Sequence, residues 1–144
     1  MLPQTHFKLG VLLVLILSVF TNFSLTALII ILSATVLIDV DHWFIYVKTT
    51  KKLGIRASYQ WFMDLHHKRK AAKKKNPRVV LPKFLCIFHT IEFYLLILIL
   101  SFFYSFFYYL LIGITFHYFL DTIADLIEKD QSKYFSIIYY FLKK

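Results

Sequence analysis

Eight side chains combine metal-binding or acid–base chemistry with an apolar setting. His6 opens one apolar run, Asp39-Val40-Asp41-His42 closes the next, His89 and Glu92 begin a third, and His117 and Asp121 end a fourth. A carboxylate in such surroundings costs several kcal/mol unless it is paired or coordinated. Imidazoles and carboxylates presented inward by neighbouring helices are how bundles hold divalent metals. That donor set suits zinc first, with manganese or iron as alternatives. Cys86 is the sole thiol, which excludes an internal disulfide and argues against an iron–sulfur centre. Gly10, Gly54 and Gly113 form no phosphate-cradling loop, so nucleotide-binding fingerprints are absent.

The spacings sharpen this. Asp39 and His42 are i,i+3, His89 and Glu92 are i,i+3, and His117 and Asp121 are i,i+4, so each pair can share a helix face. A lone histidine at a helix end is usually interfacial or merely hydrogen-bonded. Four such groups meeting at one level are harder to explain that way. His66 and His67, in Met63-Asp64-Leu65-His66-His67-Lys68, read instead as part of an amphipathic, solvated face.

The elements that must position these residues read as membrane helices. The 144 residues carry a net charge of +9 beside 59% hydrophobic composition, which excludes intrinsic disorder and exceeds what a soluble domain of this size can bury. Twelve of the seventeen basic residues lie between Trp43 and Lys83, where Asp64 is the only acid; that stretch carries about +11 and the remainder about −2. Four apolar segments, 7–20, 25–38, 84–100 and 102–120, flank it. A single helix over 7–40 would run about 50 Å, too long for a core of about 30 Å. The polar break at Thr21-Asn22-Phe23-Ser24 therefore predicts a hairpin, the first of two, reaching less than the full bilayer depth.

The expected architecture is an all-α, polytopic membrane bundle of about four transmembrane or membrane-embedded helices. It comprises a hairpin at 7–40, a basic loop at 43–83, a hairpin at 84–121 and an interfacial tail at 131–142. The positive-inside rule places the loop and both termini in the cytoplasm of a multi-pass cell-membrane protein. The loop suits anionic lipid headgroups, with nucleic acid as the weaker alternative partner. In this topology His6, the Asp39–His42 group, the His89–Glu92 group and the His117–Asp121 group all fall at the cytoplasmic end.

At these residues the sequence resembles the YdjM-like (LexA-regulated) family of bacterial and archaeal membrane-bound, metal-dependent hydrolases. The resemblance rests on His6 in Thr5-His6-Phe7, Asp39-Val40-Asp41-His42, Phe88-His89-Thr90-Ile91-Glu92-Phe93, and His117-Tyr118-Phe119-Leu120-Asp121, and runs over about residues 5–125. Ile38 stands where the family usually has proline, and the family's His-Arg-Gly-x-Thr-His-Ser pattern is represented only by His89. A more remote similarity in ligand pattern is to zinc-dependent phospholipase C. The resemblance implies a divalent metal held by Asp39, His42, His89, His117 and Asp121, with His6 as a further candidate. Asp41 or Glu92 would act as general base or as an orienter of the ligands.

The function expected is hydrolysis of a phosphoester or other ester of a lipid-like substrate at the cytoplasmic headgroup plane. A non-enzymatic membrane scaffold, binding lipid or nucleic acid through its basic loop, is the alternative; it predicts inward polar groups that satisfy one another. An ion or proton pathway ranks third, because it needs polar residues throughout the bilayer and these gather at one end.

Overall fold

Helix α1 (Pro3–Phe20) returns as α2 (Leu25–Leu37) across residues 21–24. The reversal is built from side-chain caps. Thr21 donates its hydroxyl to the Leu17 carbonyl at 2.6 Å, and Ser24 accepts the Ala27 N–H at 3.2 Å. These satisfy groups that a helix end otherwise leaves unpaired in an apolar medium. The computed structural model describes residues 3–76, 79, 83–128 and 135–143. The fold is all-helical, and no β-strand occurs among the described residues.

Helix α3 (Val40–Thr50) continues the line of α2 after a bend at Ile38–Asp39. There the backbone bonds tighten to i→i−3, Asp39 N–H to Val36 O at 3.2 Å and His42 N–H to Asp39 O at 3.0 Å. The bend has a consequence for chemistry. On a regular helix residues 39 and 41 point about 200° apart, yet both aspartates are buried here.

The segment 43–83, expected as a loop, is largely two helices. Lys51, at φ 61°, terminates α3, and α4 (Ile55–Lys75) follows. Its Lys, Arg, Ala, Gln and Met content favours helix strongly, and Lys73, Lys74 and Lys75 oppose the negative end of the helix dipole. Trp61 and Phe62 of α4 lie against Tyr46 and His42 of α3. Residues 77, 78 and 80–82 of that segment lie outside the described residues.

The second hairpin also departs from expectation. Its first helix, α5 (Ile91–Ser101), begins at residue 91 and not at 84. Ile87–His89 form a single 3-10 turn, and Thr90 is extended at ψ 154°. Helix α6 (Ser105–Glu128) returns from α5 and packs against both α2 and α5, with α1 alongside. The short α7 (Ile137–Leu142) ends the described chain; residues 131–134 of the expected 131–142 tail lie outside it.

Ala27, Leu28, Ile31, Ala34 and Thr35 form the buried stripe of α2. Ala34 and Ile38 meet Ile97 and Ile114 in the core, bordered by Phe88, Phe93 and Tyr118. Small residues set the helix spacing. A Cβ on Gly113 of α6 would stand 2.5 Å from the Ile31 carbonyl oxygen and 2.6 Å from Ala34 Cβ. A Cβ on Gly10 of α1 would collide with Thr35 Oγ1. Each glycine lies one turn from a histidine of the polar group, Gly10 from His6 and Gly113 from His117.

Two helical stretches, Leu25–Thr50 and Ser105–Ile127, are long and apolar enough to cross a membrane, and less than a third of either is buried within the protein. Gln4–Phe20 and Ile91–Ser101 are apolar but shorter. Large apolar side chains cover the outside and the hairpin turns, Phe20 being 80% and Phe102 78% exposed. Contiguous apolar surface of this kind is what a soluble monomer avoids.

Candidate metal centre

Four separate elements deliver polar side chains to one end of the bundle. His6 comes from the first turns of α1, Asp39 and Asp41 from the α2–α3 bend, His89 from the 3-10 turn, and His117 with Asp121 from one face of α6. All six are buried: His6 and His117 are fully enclosed, and Asp39 is 8% exposed.

The heart of the group is four donor atoms. His89 Nε2 lies 3.1 Å from His117 Nε2, 3.5 Å from Asp39 Oδ1 and 3.7 Å from Asp121 Oδ2. His117 Nε2 lies 3.7 Å from Asp39 Oδ1 and 3.6 Å from Asp121 Oδ2. A tetrahedron with bonds of about 2.0–2.2 Å to a central ion has edges of about 3.3–3.6 Å. The five separations between histidine nitrogens and their partners, 3.1–3.7 Å, bracket that size. His6 Nε2 lies 3.1 Å from Asp121 Oδ1 and 4.0 Å from Asp39 Oδ2, with its ring stacked on that of His117.

Tautomers follow from the outer partners. His89 Nδ1 donates to Asp41 Oδ2 at 3.1 Å, and His117 Nδ1 donates to the Thr35 carbonyl at 2.9 Å. Both acceptors lack a proton to give, so in the neutral rings each Nε2 turns a lone pair toward the other. Two lone pairs 3.1 Å apart beside carboxylate oxygens repel unless a proton or a cation lies between them. Asp39 strengthens this point. Four histidine nitrogens stand 3.2–4.0 Å from its oxygens, yet none makes a well-formed hydrogen bond to them, and a buried carboxylate without such donors is costly. Buried polar groups are normally satisfied, and an orphaned pair of anionic oxygens fits a cation-binding role.

Asp41 is placed as an orienter. Its Oδ2 also accepts the Phe88 N–H at 2.7 Å, so one oxygen fixes both the backbone of the 3-10 turn and the ring of its histidine. Because of the bend, Asp39 and Asp41 address opposite nitrogens of the same His89 ring. Asp41→Asn is expected to lower metal affinity about 10–100-fold with the fold intact, the usual cost of losing such a partner. Isothermal titration with zinc, alongside circular dichroism, checks both halves.

His42 and Glu92 take other positions. The His42 side chain is 26% exposed, and its Nδ1 lies 3.2 Å from both the Asp39 carbonyl and Asp39 Oδ1. It stands at the edge of the group, with Phe62 of α4 packed against its ring. Glu92 does not join the others. The extended Thr90 interrupts the helix between residues 89 and 92, so the i,i+3 relation assumed from the sequence fails. The Glu92 carboxylate instead receives the Ser136 hydroxyl and the backbone N–H groups of Ile137 and Ile138. The Ser136 hydroxyl, followed by these backbone donors, holds its pKa down at about 2. Its carboxylate anchors the start of α7 and is not free to act as a base. His66 and His67 lie on α4, outside the group.

Sequence reasoning missed three contributors. Thr35 acts through its carbonyl, which any residue possesses. Tyr118 donates its hydroxyl to the Phe88 carbonyl and stacks over His89 at 6.1 Å, fixing the 3-10 turn from the opposite side to Asp41. Cys86, 1% exposed, has its sulfur within 4.8 Å of donor atoms on Asp41 and His89. The position of Cys86 three residues before His89 was the only available signal for it.

No family model, curated protein or solved structure matches this chain.

Proposed function

We propose that the chain is a membrane-embedded, metal-dependent hydrolase acting on a phosphoester or other ester of a lipid-like substrate. The observation that carries this reading is the orphaned carboxylate of Asp39 facing two histidines whose outer nitrogens are already committed. Asp39, His89, His117 and Asp121 would hold the ion, with Asp41 and Thr35 setting the two imidazole rings. The resemblance to the YdjM-like hydrolases over the same residues supports it from the sequence side.

A divalent ion held there would polarise a phosphoryl or carbonyl oxygen and lower the pKa of water towards about 7. The protein's own side chains supply the rest. Asp41 and the Thr35 carbonyl keep His89 and His117 in the ligating tautomer and restrict their rotation. His42, the partly exposed imidazole at the edge, is the group placed to exchange a proton with water as the ester bond breaks and the leaving alcohol takes one up. The scaffold reading requires polar groups that satisfy one another, and Asp39 runs against it.

Geometry also supports an interfacial substrate. From His6 to the 21–24 turn, and from Leu25 to Asp39, each helix rises about 21 Å, short of a hydrocarbon core of about 30 Å. With its second helix leaving the bilayer at the Ile38–Asp39 bend, a first hairpin of that length would dip into the membrane and return, leaving the cluster near the headgroup end. The basic α3–α4 segment would lie on the cytoplasmic side against anionic headgroups.

The test is metal content by emission spectroscopy on detergent-purified protein supplied with zinc, manganese and iron, together with hydrolysis of phospholipid in mixed micelles. Wild type is expected to hold at least one equivalent and to release product. His117→Ala is expected to do neither. Wild-type protein devoid of metal after this loading would overturn the reading.

A further inference from the structure

Asp39 and Asp121 each face two ways. Asp39 Oδ1 and Asp121 Oδ2 point to the His89 and His117 nitrogens, as described above, while their second oxygens, Asp39 Oδ2 and Asp121 Oδ1, point to His6. A single ion in the His89–His117 tetrahedron uses only the first oxygen of each. It leaves Asp39 Oδ2 a buried anionic oxygen with no hydrogen-bond donor.

Resting on the metal-centre reading above, we infer that the cluster is built for two divalent cations bridged by the carboxylates of Asp39 and Asp121. The first lies among Asp39 Oδ1, His89, His117 and Asp121 Oδ2. The second lies among His6 Nε2, Asp39 Oδ2 and Asp121 Oδ1. The rings of His6 and His117 are nearly parallel, 17° apart, with centroids separated by 4.0 Å. The stacked rings meet different oxygens of the same two carboxylates, His117 Nε2 facing Asp39 Oδ1 and Asp121 Oδ2 and His6 Nε2 facing Asp39 Oδ2 and Asp121 Oδ1. Paired ions in hydrolytic sites sit about 3.5–4 Å apart, which is the spacing of the two rings. The second position has three protein donors, the number that leaves coordination open for substrate or water.

The ligands divide unequally. The first site has two imidazoles whose outer nitrogens are hydrogen-bonded, and the second has one imidazole whose Nδ1 lacks a partner. Supporting hydrogen bonds raise ligand basicity and fix ring orientation. The His6 position is therefore the weaker of the two, filling second and emptying first on dilution of the metal.

Two measurements on the full chain test this. Zinc titration followed by emission spectroscopy should give two ions per wild-type chain and one per His6→Ala chain. Manganese-loaded wild type should give the electron paramagnetic resonance spectrum of an exchange-coupled pair, a readout that needs no variant to fold. One ion per chain in wild type, unchanged in His6→Ala and with an isolated-ion manganese spectrum, overturns the paired site and leaves the single-ion reading standing. No ion in either protein overturns both. Two ions retained by a folded His6→Ala chain remove His6 from the second site.

Discussion

Asp39→Asn should abolish the stabilisation that metal confers and, in the same protein, raise the stability of the metal-free form. The two halves have opposite signs for one reason. Asp39 is buried, and the histidine nitrogens 3.2–4.0 Å from its oxygens make no well-formed hydrogen bond to them, so beside uncharged rings and without a cation its charge is a cost of folding. An asparagine of the same shape removes that charge. With a cation the charge becomes the principal attraction, and its loss should exceed the about 10–100-fold that removing a supporting residue costs. Thermal unfolding in detergent, with chelator and then with saturating zinc, separates the effects. A ligand at a thousand times its dissociation constant stabilises by about 4 kcal/mol, so the wild-type shift should be large and the Asp39→Asn shift close to nil. An Asp39→Asn protein that keeps the zinc-induced shift, or melts well below chelated wild type, would contradict the account.

Gly113→Ala should destabilise the bundle by about 1–3 kcal/mol, the usual range for overpacking, and weaken metal binding as well. The added carbon would meet the Ile31 carbonyl at 2.5 Å, a backbone atom that cannot rotate aside, so α2 and α6 must separate. In a bilayer close packing of small residues is a main source of helix association, because lipid offers the same apolar contacts as a neighbouring helix. His117 lies one turn further along α6, and its Nδ1 reaches the Thr35 carbonyl of α2 at 2.9 Å. Separation of the helices lengthens that bond. The comparison is Gly54→Ala, whose added carbon meets only Ala57 Cβ, at 3.4 Å, and which should leave melting temperature and zinc affinity unchanged. Equal behaviour of the two variants would show that the α2–α6 approach has no bearing on the site.

The polar cluster was legible because its residues are costly where they stand. His6, Asp39, His89, His117 and Asp121 interrupt apolar runs, and the hairpin topology alone carries them to one end. Glu92 was misplaced by extending helical periodicity through Thr90, whose extended backbone is set by contacts from Asp41 and Tyr118 that lie far away in sequence. Thr35 was invisible because its contribution is a main-chain carbonyl. Tyr118 was one of ten tyrosines with nothing to distinguish it. The stretch 43–83 was read by its charge, and charge concealed two helices whose residues favour that conformation on propensity alone. The bend at Ile38–Asp39 left no glycine or proline as a marker, and it is what allows two aspartates of one short motif to grip the same imidazole.

The contact between His6 and Asp121 joins positions 115 residues apart. The first five helices are synthesised before Asp121, so the donor set is completed only when α6 is in place. For a metal-binding cluster, ion capture would thereby be the closing event of biogenesis. A cation shared by these residues would clasp α1 to α6 and restrict the unfolded ensemble in the manner of a long covalent loop. A nascent chain arrested before residue 121 would possess its early hydrophobic helices but no clasp, and quality control could distinguish it from the finished protein by that difference alone.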